Sequence, residues 1–220
     1  AHEINNPLTA ILGYTDLLNE TTSLSPEQKN IATNILQQAR RTKDLVASLL
    51  NFARQTPATK RPVDINSVVQ TALKLSQERL QAHHIQVIAE LKLSLPQVSA
   101  DRNQLLQVLL HVIRNAADAV ETRKEKRLTA RTSLENGMVV CEVIDSGGGV
   151  SDPDRVFDPF YTTRPVGKGT GLGLSACYGV IQDHGGYIRC ENVQDGACFR
   201  IELPVGTTPQ SDSAEVQVLT

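Results

Sequence analysis

Between residues 26 and 53, Ile31, Ile35, Ala39, Thr42, Val46, Leu49 and Ala53 recur at spacings of four and three. Such a row lies along one side of a straight helix and is close to a heptad seam. Upstream, Ile4, Leu8, Ile11, Leu12, Tyr14, Leu17 and Leu18 form a second helical stripe. The polar stretch NETTSLSPEQ separates the two. It contains a helix start: Ser25 can cap, Pro26 suits the first helical position, and Gln28 can complete a capping box. Two helices joined by a short loop make an antiparallel hairpin, and a lone hairpin cannot bury both stripes. Pairing with a second copy into a four-helix bundle would bury them.

The proline-bearing polar stretch QTPATKRP ends this pattern. The expected organisation is a hairpin at 1–55, a linker at 56–62, a second domain at 63–205 and a tail at 206–220 that is a linker or disordered. In the second domain, Asp64 or Asn66 can cap a helix to about residue 82. Strand-like IQVIAELKL follows, then a short LPQVSAD segment, and Asp101 can cap a third long helix. LTARTSL and MVVCEVID read as strands joined by an Asn136-Gly137 turn. After a long glycine-rich loop come a helix from about Thr170 to Asp183 and a last hairpin, YIRCENV and ACFRIELP. The order predicts an α+β chain whose second domain is an α/β sandwich: an antiparallel or mixed sheet with helices on one face.

Composition removes several functions. A net charge of −2 gives no electrostatic case for nucleic acid or an anionic membrane surface, and with no Trp and 4% aromatics a base-stacking surface is not expected. No apolar run approaches the ~20 residues of a membrane span, and no signal peptide is visible. The chain reads as a cytoplasmic fragment, and membrane anchoring of a full-length protein stays open. Cys141, Cys177, Cys190 and Cys198 form no C-x-x-C pair and have no zinc spacing, so they are expected to be buried reduced thiols.

Four stretches carry chemistry. Asn115, in IRNAADAV, is placed on the sheet side of its helix with Leu109 and Val112. A buried amide there needs partners, and Mg²⁺ is one candidate. In VIDSGGGV a strand ends at Asp145, and three glycines let backbone come close to a ligand. In GKGTGLGLS, Gly169, Gly171 and Gly173 alternate at the mouth of a helix, where amide groups bind anions. The spacing is neither a P-loop nor a Rossmann turn. The first residues, AHEINNPL, are not a zinc H-E-x-x-H, because position 6 is Asn6. His2 and Asn6 share a helical face, with Glu3 about 100° round. Pro7 would break the bond to the Glu3 carbonyl and bend the helix beside His2.

In this order and spacing, IRNAADAV, DSGGGV, VFDPFYTTR and GKGTGLGLS resemble the N, first glycine, F and second glycine boxes of sensor histidine kinases. Asp183-His184-Gly185-Gly186 matches that family's next turn, and HEINNPL with its hairpin resembles its dimerisation and histidine phosphotransfer domain. The resemblance covers residues 1–205 and implies a Bergerat-type ATP-binding fold using ATP and Mg²⁺. It implies that Asn115 holds Mg²⁺ and that Asp145 reads the adenine amino group. Gly147, Gly149, Gly169, Gly171 and Gly173, with Asp118, Thr170 and Leu172, would line the nucleotide. Phe157 and Phe160 would anchor a lid over roughly 150–168, and Arg164 and Lys168 are its cations for the triphosphate. His2 would take the phosphoryl group, Glu3 the proton, and Asn6 would orient water for dephosphorylating a partner. The implied partners are a second copy of the chain and the aspartate of a response-regulator receiver domain.

One position departs from that family: its frequent asparagine four residues before the Mg²⁺-binding one is His111 here. Similar ATPases of the gyrase and chaperone type carry a water-activating glutamate there. Without a carboxylate, hydrolysis lacks its base and the phosphoryl group needs another acceptor. A degenerate or phosphatase-dominant nucleotide-binding module is the alternative from another class. His83 and His84 receive no role, and His184 reads as a turn residue.

Overall fold

The computed structural model describes the backbone of residues 2–20, 24–53, 58–163 and 170–206, and most side chains within them. The side chains of His2, Glu3 and Asn6, all of Arg164, Lys168 and Gly169, and residues 207–220 lie outside the described residues. Helix α1 spans His2–Glu20 and α2 spans Pro26–Ala53. The capping box forms as the sequence predicts. Ser25 N–H donates to Gln28 Oε1 at 2.9 Å, and Gln28 N–H to Ser25 Oγ at 3.2 Å. Thr15, Ala32 and Ala39 are buried, yet Ile11, Tyr14, Leu17, Leu18, Ile31 and Ile35 remain exposed, Tyr14 by 73%. The hairpin thus leaves an apolar stripe uncovered.

The rest of the chain builds two sheets. Strand β1 (Arg61–Val63) pairs antiparallel with β3 (Val98–Ala100). The proline-bearing polar pattern predicts a linker through residue 62, yet Arg61 and Pro62 are paired: a proline donates no ladder bond, and the edge of a short ribbon tolerates it. The main sheet runs β2-β4-β5-β7-β6, with β2 at Gln86–Leu91, β4 at Arg127–Glu135, β5 at Met138–Asp145, β6 at Tyr187–Val193 and β7 at Gly196–Pro204. It is mixed: only β2 and β4 are parallel. Asn136 (φ 50°) and Gly137 (φ 76°) take the left-handed turn that joins β4 to β5.

Helices α3 (Ile65–Ala82), α4 (Arg102–Val120) and α5 (Gly173–Asp183) cover one face. Asp64 caps α3 through Asn66 N–H, and Asp101 caps α4 through Asn103 and Gln104 N–H. Val68, Val112, Ile113 and Ile181 meet Leu128, Ala130, Phe199 and Leu203 in the core between the layers. All four cysteines are buried and free; burial pushes the Cys141 and Cys177 thiols up to about 12, so they are inert. Helix α5 starts three residues later than predicted. Gly171 has φ +66°, which no right-handed helix accepts, and Thr170 Oγ1 takes the Leu172 N–H at 3.3 Å.

The other face of the sheet carries a chain of ion pairs across all five strands. Glu90 meets Arg131 at 2.7 Å, Arg131 reaches Glu142 at 3.7 Å, and Glu142 meets Arg200 at 2.8 Å. Arg200 also holds Glu135 and Glu202, and Glu202 holds Arg189. The hydrogen bond from Arg200 is the main cause holding Glu202 below its usual range; Ser133 and then Arg200 do the same for Glu135. Depressed carboxylates stabilise the fold above their unfolded pKa of about 4.3, and that stability is lost as pH falls through the folded values. Melting temperature should therefore drop steeply between about pH 5 and pH 3. Arg200→Met should flatten that drop, as read by circular dichroism melts across pH.

Candidate nucleotide-binding site

One face of α4 organises the site. His111, Asn115 and Ala119 are spaced i, i+4, i+8, so they form a row about 12 Å long. At one end the His111 ring lies against the first residue of α5: a methyl placed on Gly173 would sit 2.1 Å from His111 Nε2. At the other end Ala119 meets the glycines after β5, where a methyl on Gly147 would sit 2.6 Å from Ala119 Cβ. Asn115 stands one turn from each, between the two glycine segments. Leu109 and Val112 are buried as the pattern predicts, while Asn115 is only half-buried, at the edge of that stripe. Asp118 leaves the row: its carboxylate pairs with Arg79 of α3.

Asp145 ends β5 and is 5% exposed. Burial pushes its carboxyl above the usual range; Gly147 N–H, Ala197 N–H and then the Arg123 guanidinium pull it back in part. Both hydrogen bonds fall on Oδ1, from Gly147 N at 2.8 Å and Ala197 N at 3.3 Å, so Oδ2 remains to accept from a ligand. Arg123 Nε donates to Gly147 O at 2.9 Å and lays its guanidinium over Gly148.

At the second glycine segment, Leu172 is the N-cap of α5 and offers no side-chain acceptor. Leu172 thus leaves the N–H groups of that first turn without a cap from its own side chain, and this helix start lies beside the His111 end of the row. Gly171 packs against backbone: a methyl there would sit 2.3 Å from the Phe160 carbonyl carbon. The two phenylalanines behave differently. Phe157 packs on Tyr178 and Phe199 at ring distances of 6.0 and 6.4 Å. Phe160 is 66% exposed, and its anchor is the backbone bond from Phe160 N to Gly171 O at 2.9 Å.

The structure thus brings together Asn115, Asp145, Gly147, Gly171 and Gly173, with His111, Ala119 and Arg123 beside them. Nothing in the sequence pattern singles out Ala119 or Arg123, whose importance comes from contacts with distant glycines. His184 closes α5 as its C-cap. Its Nδ1 faces Val180 O at 2.7 Å, and its Nε2 accepts Asp101 N–H at 2.9 Å. Among the described residues no group of three or more His, Cys, Asp or Glu could hold a metal, and no helix is long and apolar enough to cross a membrane.

Residues 1–58 match the His Kinase A (phospho-acceptor) domain, and residues 100–207 match the histidine kinase-, DNA gyrase B- and HSP90-like ATPase family. The sensor kinase CckA of Brucella abortus (strain 2308) is 36% identical over 220 residues, covering 93% of this chain and 23% of CckA. Full-length ShkA, solved in complex with AMPPNP, superposes with a TM-score of 0.72 at 28% identity over 94% of this chain and 45% of ShkA. ThkA, solved in complex with the response regulator protein TrrA, gives 0.65 at 26% identity over 94% of this chain and 60% of ThkA. The chain therefore spans less than a quarter of CckA and under half of ShkA. A phospho-acceptor hairpin followed by this ATPase fold, with close relatives of the same build, places the chain in the two-component sensor histidine kinases, of which it carries the catalytic core.

Proposed function

We propose that the chain uses Mg·ATP to phosphorylate its own His2 and passes the phosphoryl group to an aspartate of a response-regulator receiver domain. The observation that carries this is the α4 row, which sets Asn115 between two glycine segments, one beside a buried carboxylate and one at an uncapped helix start. Asp145 Oδ2 would accept the adenine amino group, and the first turn of α5 would face the phosphates. The Asn115 amide oxygen suits Mg²⁺ as a single protein ligand, with phosphate and water oxygens supplying the rest. AMPPNP bound to ShkA and TrrA bound to ThkA support the nucleotide and the partner.

In the transfer, a nitrogen of neutral His2 forms the N–P bond while the bond from the γ-phosphorus to the bridging oxygen breaks and ADP leaves. The proton on the other ring nitrogen goes to Glu3. Asn6 would place water for the reverse flow from the receiver aspartate. The exposed stripe of Tyr14, Leu17, Ile31 and Ile35 fits a homodimer, and a segment that meets a receiver domain works in the cytoplasm.

Incubation with γ-labelled ATP and Mg²⁺ should put label on the chain that is acid-labile, alkali-stable and confined to the His2 peptide. Sustained free phosphate without labelled chain would instead make it an ATPase. Nucleotide binding with neither product would make it a regulatory module.

A further inference from the structure

The β6–β7 hairpin grips the first glycine segment at three points, from the end of β6, the turn and the start of β7. Ala197 N–H reaches Asp145 Oδ1 at 3.3 Å, and Asp195 O accepts Gly148 N–H at 2.9 Å. The third grip is a side chain. Asn192 Oδ1 accepts Val150 N–H at 2.8 Å, and Asn192 Nδ2 donates to Val150 O at 2.9 Å. One amide thus satisfies both backbone groups of one residue, as a paired strand would. Val150 is where the glycines end and the loop toward Phe157 begins. The fit also fixes Gly149: it has φ +82°, and a methyl on it would sit 2.7 Å from Asn192 Oδ1. An ordinary asparagine at the exposed end of an edge strand is solvated and makes no such pair.

We infer that Asn192 is a positioning residue of the nucleotide site, holding Val150 so that the backbone of 145–149 keeps the shape that receives the base. The inference rests on the reading that residues 145–149 bind nucleotide. Asn192 touches no reacting atom; it acts through the glycine loop. It is exposed and lies on the outermost strand, so its substitution leaves the core intact.

Two variants separate bonding from packing. Asn192→Ala removes both bonds. Asn192→Asp keeps size and the acceptor for Val150 N–H, but turns an oxygen toward Val150 O. Both should weaken AMPPNP·Mg binding about tenfold by calorimetry, the scale of two lost hydrogen bonds. In autophosphorylation the loss should fall on KM for ATP rather than kcat. Exchange of the Val150 amide in nucleotide-free protein, read by NMR, should speed up at least tenfold. Wild-type affinity in Asn192→Asp, or unchanged Val150 exchange in Asn192→Ala, overturns the inference. Failure of wild-type protein to bind AMPPNP would sink the nucleotide reading instead, and Val150 exchange would still decide whether the grip exists.

Discussion

Asp145→Asn should bind ATP about a hundredfold more weakly than wild type while melting at the same temperature or higher. The carboxylate is buried, and burial is the main reason its pKa is raised. Folding thus favours its protonated form and costs stability above the raised pKa; a neutral amide removes that cost. The asparagine oxygen can still take the N–H groups of Gly147 and Ala197, which now bond Oδ1. Its NH₂ then replaces Oδ2, so a donor faces the adenine amino donor. A lost hydrogen bond plus a buried donor without a partner is worth about 3 kcal/mol, or about two decades of affinity. The same amide can donate to the carbonyl of a 6-oxopurine, so the variant should prefer ITP to ATP. Calorimetric titration with both nucleotides, beside a thermal melt, reads all three outcomes. ATP affinity within threefold of wild type would remove Asp145 from the site.

Gly196→Ala should be the most damaging single methyl in the fold. Its Cβ would sit 1.8 Å from Asp145 O, 2.6 Å from Asp145 C and 2.9 Å from Asp145 Oδ1. The first two are backbone atoms of Asp145, which pairs with Leu128 of β4 and directly follows the last β5–β7 pair, so no side chain can swing away. Either that ladder opens at Ile144 and Cys198, or the β6–β7 turn lifts off the glycine loop. Overpacking of this kind costs about 3 kcal/mol. Stability should fall by that amount in urea melts, and nucleotide binding should fall with it. Gly179→Ala is the matched control. That glycine lies in α5 with nothing within 4 Å of an added methyl, and its replacement should stabilise the protein by about 0.5 kcal/mol. Equal stability for the two variants would contradict the packing around Asp145.

What the sequence revealed follows the range of the interactions. The Ser25–Gln28 box, the Asp101 cap and the Asn136-Gly137 turn depend on residues within four positions of one another, and each forms as read. Pro62 has the local chemistry of a linker, but its partner is Ser99, and a strand results. Phe157 and Phe160 look alike in sequence; their fates diverge because Tyr178 and Phe199 lie behind only the first. Asn115, Asp145 and the glycines stand out through motif order. Ala119 and Asn192 are invisible there, since each matters through a contact with a glycine far away in the chain.

The C-cap of α5 has a consequence for chemical selectivity. A phosphoryl group can be taken only by a ring nitrogen with an open lone pair and a clear approach. In His184 the Nε2 lone pair already receives Asp101 N–H, the Nδ1 side faces Val180 O, and the residue is 4% exposed. This imidazole is spent on joining the end of one helix to the start of another. It offers no competing acceptor, however high the local concentration of activated phosphate.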